Sequence, residues 1–180
     1  MTGKLELIIG PMFSGKSTEL IRRIRLLQTI NKKVLIAKPA IDSRYNKNSI
    51  TSHNYESVEC LVLNRLDDIS NEAVQEYDTI IIDEGQFFPD LKTTVTYWIC
   101  NYSVSVIIGG LDGDFQRNPI GKILDLIPYA DKCQKLNSLC CLCKDGTEAP
   151  FTKRIVASTD TVLVGGAEYY TAVCRKHYDS

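Results

Sequence analysis

Apolar residues fall in short runs separated by stretches of helical spacing. Leu5 to Ile9 reads as a buried strand. Ser17 to about Ile30 reads as a helix, because Leu20, Ile21, Ile24 and Leu27 recur at the i, i+3, i+4 spacing, and Arg22, Arg23 and Arg25 then fall on its solvated face. Val34 to Ala37, ended by Pro39, Thr79 to Ile82 and Val104 to Ile108 are further strand-like runs. Leu91 to Tyr102 and Gly121 to Ile127 have helical potential, so strands alternate with helices and predict an α/β domain with a mostly parallel sheet. From about Leu136 the texture changes to short β-like runs, Phe151 to Val156 and Thr161 to Val164, with cysteines at both ends. Two parts are therefore expected, an α/β domain over residues 1–135 and a small appended domain over 136–180. The polar stretch Asp42 to Asn54 has no periodicity and is expected to be a mobile loop.

Between the first strand and the first helix lies Gly10-Pro11-Met12-Phe13-Ser14-Gly15-Lys16-Ser17, which matches the phosphate-binding loop G-x-x-x-x-G-K-[ST] in residues and in setting. Glycines there let successive backbone N–H groups turn toward one anion. Lys16 can reach the β- and γ-phosphates, and the Ser17 hydroxyl can hold Mg²⁺. The start of the following helix adds partial positive charge suited to a nucleoside triphosphate such as ATP.

Thr79-Ile80-Ile81-Ile82 runs straight into Asp83 and Glu84. An acid at such a strand end helps hold Mg²⁺ in phosphate-loop enzymes, which suits Asp83. Successive strand residues point in opposite directions, so Glu84 is free for another task, accepting the proton of an attacking hydroxyl or orienting a water. A GTPase does not fit. Asp83-Glu84-Gly85-Gln86 is one residue short of D-x-x-G, and no N-K-x-D for guanine is present.

Seven cysteines bring in a metal. Cys140-x-x-Cys143 is followed about thirty residues later by Cys174-x-x-His177, and two such pairs can close on one ion as the four N/S ligands of a structural zinc site. Such an ion would tie the two ends of the appended domain together. Cys141 is expected to point away, and Cys60, Cys100 and Cys133 to be buried as small hydrophobes; His53 has only a weak claim to a role. The formal net charge of −1 over 180 residues gives no global field for nucleic acid or anionic membrane. With no membrane-spanning run and no signal peptide pattern, a cytoplasmic protein is expected.

Taken in order, the phosphate loop, Asp42-Ser43-Arg44-Tyr45, Asp83-Glu84-Gly85-Gln86-Phe87-Phe88-Pro89-Asp90, Leu111-Asp112-Gly113-Asp114-Phe115-Gln116-Arg117, Phe151-Thr152-Lys153-Arg154 and the paired C-x-x-C and C-x-x-H closely resemble the thymidine kinase family of animals, many bacteria and poxviruses. The resemblance implies a RecA-like phosphate-loop domain plus a zinc-binding lasso domain, and transfer of the γ-phosphoryl of Mg-ATP to the 5′-hydroxyl of thymidine. It further implies that Glu84 is the general base, that Asp83 belongs to the metal shell, and that Asp42, Ser43, Arg44 and Gln86 belong to the phosphate and metal environment. The base would sit under a lasso formed by Thr161, Val162, Leu163, Val164 and Gly165 with Tyr170 following, with Phe115 over it and Met12, Phe87, Leu111 and Thr152 as walls. By resemblance alone, a homotetramer inhibited by dTTP is expected, with no nucleic acid or membrane as partner.

Two departures accompany the resemblance. His177 stands where animal and poxvirus members generally carry cysteine and some bacterial members histidine; zinc accepts either. The chain ends three residues after His177, so the regulatory extension of animal enzymes is not expected. The competing assignment is a zinc-ribbon phosphate-loop ATPase acting on nucleic acid, for which Lys153, Arg154, Arg175 and Lys176 offer only a sparse basic surface.

Overall fold

Four of the apolar runs become neighbouring strands whose side chains alternate between two cores. A computed structural model describes residues 3–41, 49–51, 57–158, 163 and 165–179. The first half contains β1 (Leu5–Gly10), α1 (Lys16–Thr29), β2 (Val34–Pro39), β3 (Ser49–Thr51), β4 (Ser57–Glu59), β5 (Leu61–Leu63), α2 (Asn71–Gln75) and β6 (Thr79–Ile82). After it come α3 (Leu91–Asn101), β7 (Ser105–Leu111), β8 (Lys132–Lys135), β9 (Ser138–Leu139), β10 (Glu148–Ala149), β11 (Phe151–Arg154), β12 (Tyr170–Val173) and α4 (Arg175–Tyr178).

Six strands form one sheet in the order β5-β2-β6-β7-β1-β8, and every pairing in it is parallel. Leu5, Leu7, Ile9, Ile80, Ile82, Val106 and Ile108 face one core, which α3 closes with Leu91, Val95 and Trp98. Ile8, Ile36, Ile81 and Ile107 face the other, closed by Leu20, Ile21 and Ile24 of α1. Both faces are covered, which is why these strands read as continuous apolar runs.

Several elements differ from expectation. The helix expected over Gly121 to Ile127 is a 3₁₀ helix at Leu124–Tyr129 with Pro128 inside it, a residue that has no N–H to give an α-helical ladder. β7 continues through Gly109 and Gly110 to Leu111. Part of the polar stretch is ordered, since β3 pairs antiparallel with β4 and Ile50 is buried against the α1 core. β11 stops at Arg154, and of the strand expected over Thr161 to Val164 only Leu163 is described, outside any strand. Cys100 and Cys133 are exposed and Cys60 is half-buried, so burial is not their common property; Cys133 lies on the edge strand β8 and Cys100 on the outer side of α3. No described helix is long and apolar enough to cross a membrane.

Candidate active site and metal centre

The carboxyl ends of β6, β7 and β1 lie side by side, with Gly10 opposite Leu111 and Ile82 opposite Ile108. Ligands of open parallel sheets bind beyond such ends. The glycine-rich loop leaves β1 here. Gly15 takes φ +83° with open space around the position of a side chain, so its requirement is conformational. As the N-cap of α1 it supplies no side-chain acceptor, which leaves the first-turn N–H groups without a side-chain cap. Ser14 Oγ and Lys16 Nζ donate to the Pro11 carbonyl at 2.8 and 2.7 Å. Ser17 Oγ donates to Asp83 Oδ2 at 3.0 Å, joining the loop to the acidic end of β6.

Beyond Asp83 the chain turns sharply. Glu84 has φ 51° and ψ 41°, a left-handed conformation unusual for a residue with a side chain, and Gly85–Phe87 follow as a 3₁₀ turn. Asp83 Oδ1 accepts from the Glu84 N–H at 3.0 Å. Gln86 Nε2 donates to Glu84 Oε2 at 2.5 Å, and Gln86 Oε1 accepts from the Leu111 N–H at 3.0 Å. Asp83, Glu84 and Gln86 are all buried.

Residues after 150 meet this site from the other side. The Met12 N–H, within the phosphate loop, donates to the buried Thr152 hydroxyl of β11 at 2.9 Å. Phe13, held at φ 65°, packs against the small core of Cys140, Ala149, Ala172, Val173 and Cys174. The Arg154 guanidinium lies 3.7 Å from the centroid of the Phe115 ring and donates to the Tyr170 hydroxyl at 3.0 Å. That hydroxyl in turn donates to the Leu163 carbonyl at 2.8 Å. Tyr178 Oη donates to the Phe115 carbonyl at 2.6 Å, and Arg117 stacks over the Tyr178 ring at 4.2 Å.

Cys140, Cys143, Cys174 and His177 converge, with all ligand atoms within 4.8 Å of one another. Cys143 Sγ lies 3.7 Å from Cys174 Sγ, and His177 Nδ1 lies 3.5, 3.4 and 3.5 Å from the sulfurs of Cys140, Cys143 and Cys174. Zinc bonds of about 2.3 Å to sulfur and about 2.0 Å to nitrogen give tetrahedral edges of roughly 3.5 to 3.8 Å, so the residues fit this ion. Burial pushes the Cys140 thiol up, but hydrogen bonds from the Cys174 and Cys143 backbone and from His177 outweigh it and hold the thiol at about 5. Burial and the adjacent Cys140 and Cys174 sulfurs push Cys143 up to about 11. The second thiol resists ionisation beside the first, a conflict that a bound dication removes. Cys141 stands outside the cluster, exposed, with its sulfur turned toward the Leu139 carbonyl.

Among the residues singled out from the sequence, Gly10 to Ser17, Asp83, Glu84, Gln86 and Leu111 gather at the sheet end. Phe115, Leu163 and Tyr170 are connected through Arg154 and hydroxyl contacts. Gly165 is buried against the Tyr169 ring, and Phe87 is half-buried in its 3₁₀ turn. Asp42, Ser43, Arg44, His53, Thr161, Val162 and Val164 lie outside the described residues. Arg154 and Tyr178 were not anticipated as neighbours of Phe115, because their contacts cross long sequence separations that no local pattern encodes.

Comparison with known proteins gives one consistent result. The family model described as thymidine kinase matches residues 3–178. Thymidine kinase 1 of Dictyostelium discoideum is 44% identical over 184 residues, covering 100% of this chain and 79% of that protein. The thymidine kinase of Variola virus is 44% identical over 176 residues, covering 98% of this chain and 97% of the viral one. The cytosolic thymidine kinase of Homo sapiens is 43% identical over 176 residues, covering 98% of this chain and 73% of the human one.

Proposed function

The chain belongs to the thymidine kinase family, and we propose that it carries the γ-phosphoryl group of ATP to the 5′-hydroxyl of thymidine, yielding dTMP and ADP in nucleoside salvage for DNA synthesis. The observation that carries this is the 3.0 Å contact of Ser17 with Asp83, which sets the phosphate loop against the strand end from which Glu84 projects.

In this mechanism the loop Gly10 to Ser17, through its backbone N–H groups from Phe13 onward, and the Lys16 ammonium bind the β- and γ-phosphates, while Ser17 and Asp83 would hold Mg²⁺, which supplies charge neutralisation when bound. Glu84 accepts the proton of the 5′-hydroxyl as the new O–P bond forms and the bond to the β-phosphate oxygen breaks. Phosphoryl transfer asks the protein for position and charge rather than covalent chemistry, so the contacts that align Glu84 with the loop do most of the work. Asp42, Ser43, Arg44 and Gln86 complete the phosphate environment.

The nucleoside lies between Met12, Phe87, Leu111, Phe115 and Thr152, under a lasso of Thr161 to Gly165 and Tyr170. Residues 1–135 form the nucleotide-binding domain and 136–180 the zinc-stapled lasso domain, in which Cys140, Cys143, Cys174 and His177 would hold zinc as a clamp with no contact to substrate. The enzyme works as a cytoplasmic homotetramer under dTTP feedback, without nucleic acid or membrane as partner.

The test is incubation with Mg-ATP and a panel of nucleosides. Nucleoside monophosphate formed from thymidine is the expected product, whereas nucleoside-independent ADP release stimulated by single-stranded DNA would replace the kinase with a phosphate-loop ATPase.

A further inference from the structure

We infer that Gln86 is a positioning residue: its side-chain amide ties the Glu84 carboxylate to the backbone at the end of β7 and so fixes the direction in which Glu84 meets the acceptor hydroxyl. This rests on Glu84 acting as the general base.

The chemistry of the three groups admits one arrangement. An ionised carboxylate only accepts hydrogen bonds and the Leu111 N–H only donates, so a bridge between them must donate at one end and accept at the other. Gln86 does both, at 2.5 and 3.0 Å, and both bonded side chains are nearly sealed from water, Glu84 at 6% and Gln86 at 4% exposure. A glutamate at position 86 would present acceptors to both partners, a leucine neither function, and an asparagine is one methylene too short to span them.

Backbone geometry explains why a tether is needed. Glu84 lies in the left-handed region, outside both β6 and the following 3₁₀ turn, so no regular element sets its side-chain direction. Such a conformation is strained and persists only where neighbours over-determine it. Here the slot for residue 86 is walled on two sides. A Cβ on Gly110 would sit 2.4 Å from Gln86 Oε1 and 2.6 Å from Ile123 Cδ1, and one on Gly121 would sit 1.9 Å from the Gln86 carbonyl oxygen. The far end of the amide is anchored in a central strand of the sheet.

The test is a double-mutant cycle. Gln86→Leu is expected to lower kcat at saturating ATP about tenfold to a hundredfold, the scale of a small misalignment of a reacting group, with KM for thymidine within about twofold. In a Glu84→Gln background the same change is expected to cost nothing further, because the carboxylate it orients is gone. An equal loss in both backgrounds would overturn the tether and leave Glu84 as base, whereas an intact kcat in Glu84→Gln alone would overturn the base and the tether together. If Gln86→Leu does not fold, Gln86→Met, unbranched and close in size, enters the same cycle. An independent readout needs no turnover. In ¹⁵N-labelled protein without nucleotide, the Gln86 side-chain amide should show a low-field, slowly exchanging proton that moves upfield in Glu84→Gln, and an unchanged signal would refute the contact.

Discussion

The Tyr178 hydroxyl donates a 2.6 Å hydrogen bond to the backbone carbonyl of Phe115, 63 residues earlier in the chain. Tyr178 follows the metal-binding candidate His177 in α4, and Arg117 stacks on its ring while pairing with Asp179 at 3.3 Å. The segment that carries Phe115 is therefore hung on the helix that carries a candidate metal ligand. Tyr178→Phe keeps the ring and deletes one bond worth about 1 kcal/mol, so the thymidine KM should rise about fivefold while the ATP KM stays unchanged in steady-state kinetics.

Removing a metal ligand should act through the same connection. Cys140→Ser or Cys174→Ser should lower zinc content by elemental analysis and raise the thymidine KM, because the ion couples to the order of the segments that carry its ligands. A normal thymidine KM in zinc-free protein would separate the metal from nucleoside binding.

Glu84→Gln replaces the proposed proton acceptor with a neutral amide of the same shape. It should retain ATP affinity and lose about 10²–10⁴ in kcat, the usual contribution of a general base. Nucleotide binding measured by calorimetry beside turnover separates the two effects.

Thr152→Val keeps the side-chain shape and removes the acceptor of the Met12 N–H. A buried donor left without its acceptor costs about 2 kcal/mol, which corresponds to a fall of roughly 4–8 °C in Tm for a domain of this size. Because Met12 belongs to the phosphate loop, the ATP KM should rise with it.

Acid should weaken α1 at its first turn. Arg22 at 2.6 Å, assisted by Arg23 at 2.8 Å, outweighs burial and holds the Glu19 carboxyl at about 2, against its ordinary 4.5. A carboxyl depressed by folding adds stability above its unfolded value and loses that contribution as the pH falls through the folded one. The Tm difference between the wild-type protein and Glu19→Gln should therefore be full above about pH 4.5 and shrink toward pH 2.

β1, β2, β6 and β7 were legible as strands because both of their faces are buried, which concentrates apolar residues in short runs. β8, with the sequence Lys-Cys-Gln-Lys, left no such signal, since it is an edge strand with mostly exposed side chains. The clustering of Cys140, Cys143, Cys174 and His177 was legible because each C-x-x-[CH] pair is a local turn whose chemistry depends on spacing. Gln86 was visible only as a letter in a motif, and its bridge to Leu111 appears once β7 is laid beside β6. Arg154 and Tyr178 look like surface polar residues until the fold carries Phe115 to them.

The bond between Met12 and Thr152 spans 140 residues. Synthesis runs from the N-terminus, so all six strands of the parallel sheet are translated before the threonine that one amide of the loop donates to is added to the chain. Competence to hold a nucleotide in its final geometry thus arrives late in the life of the nascent chain.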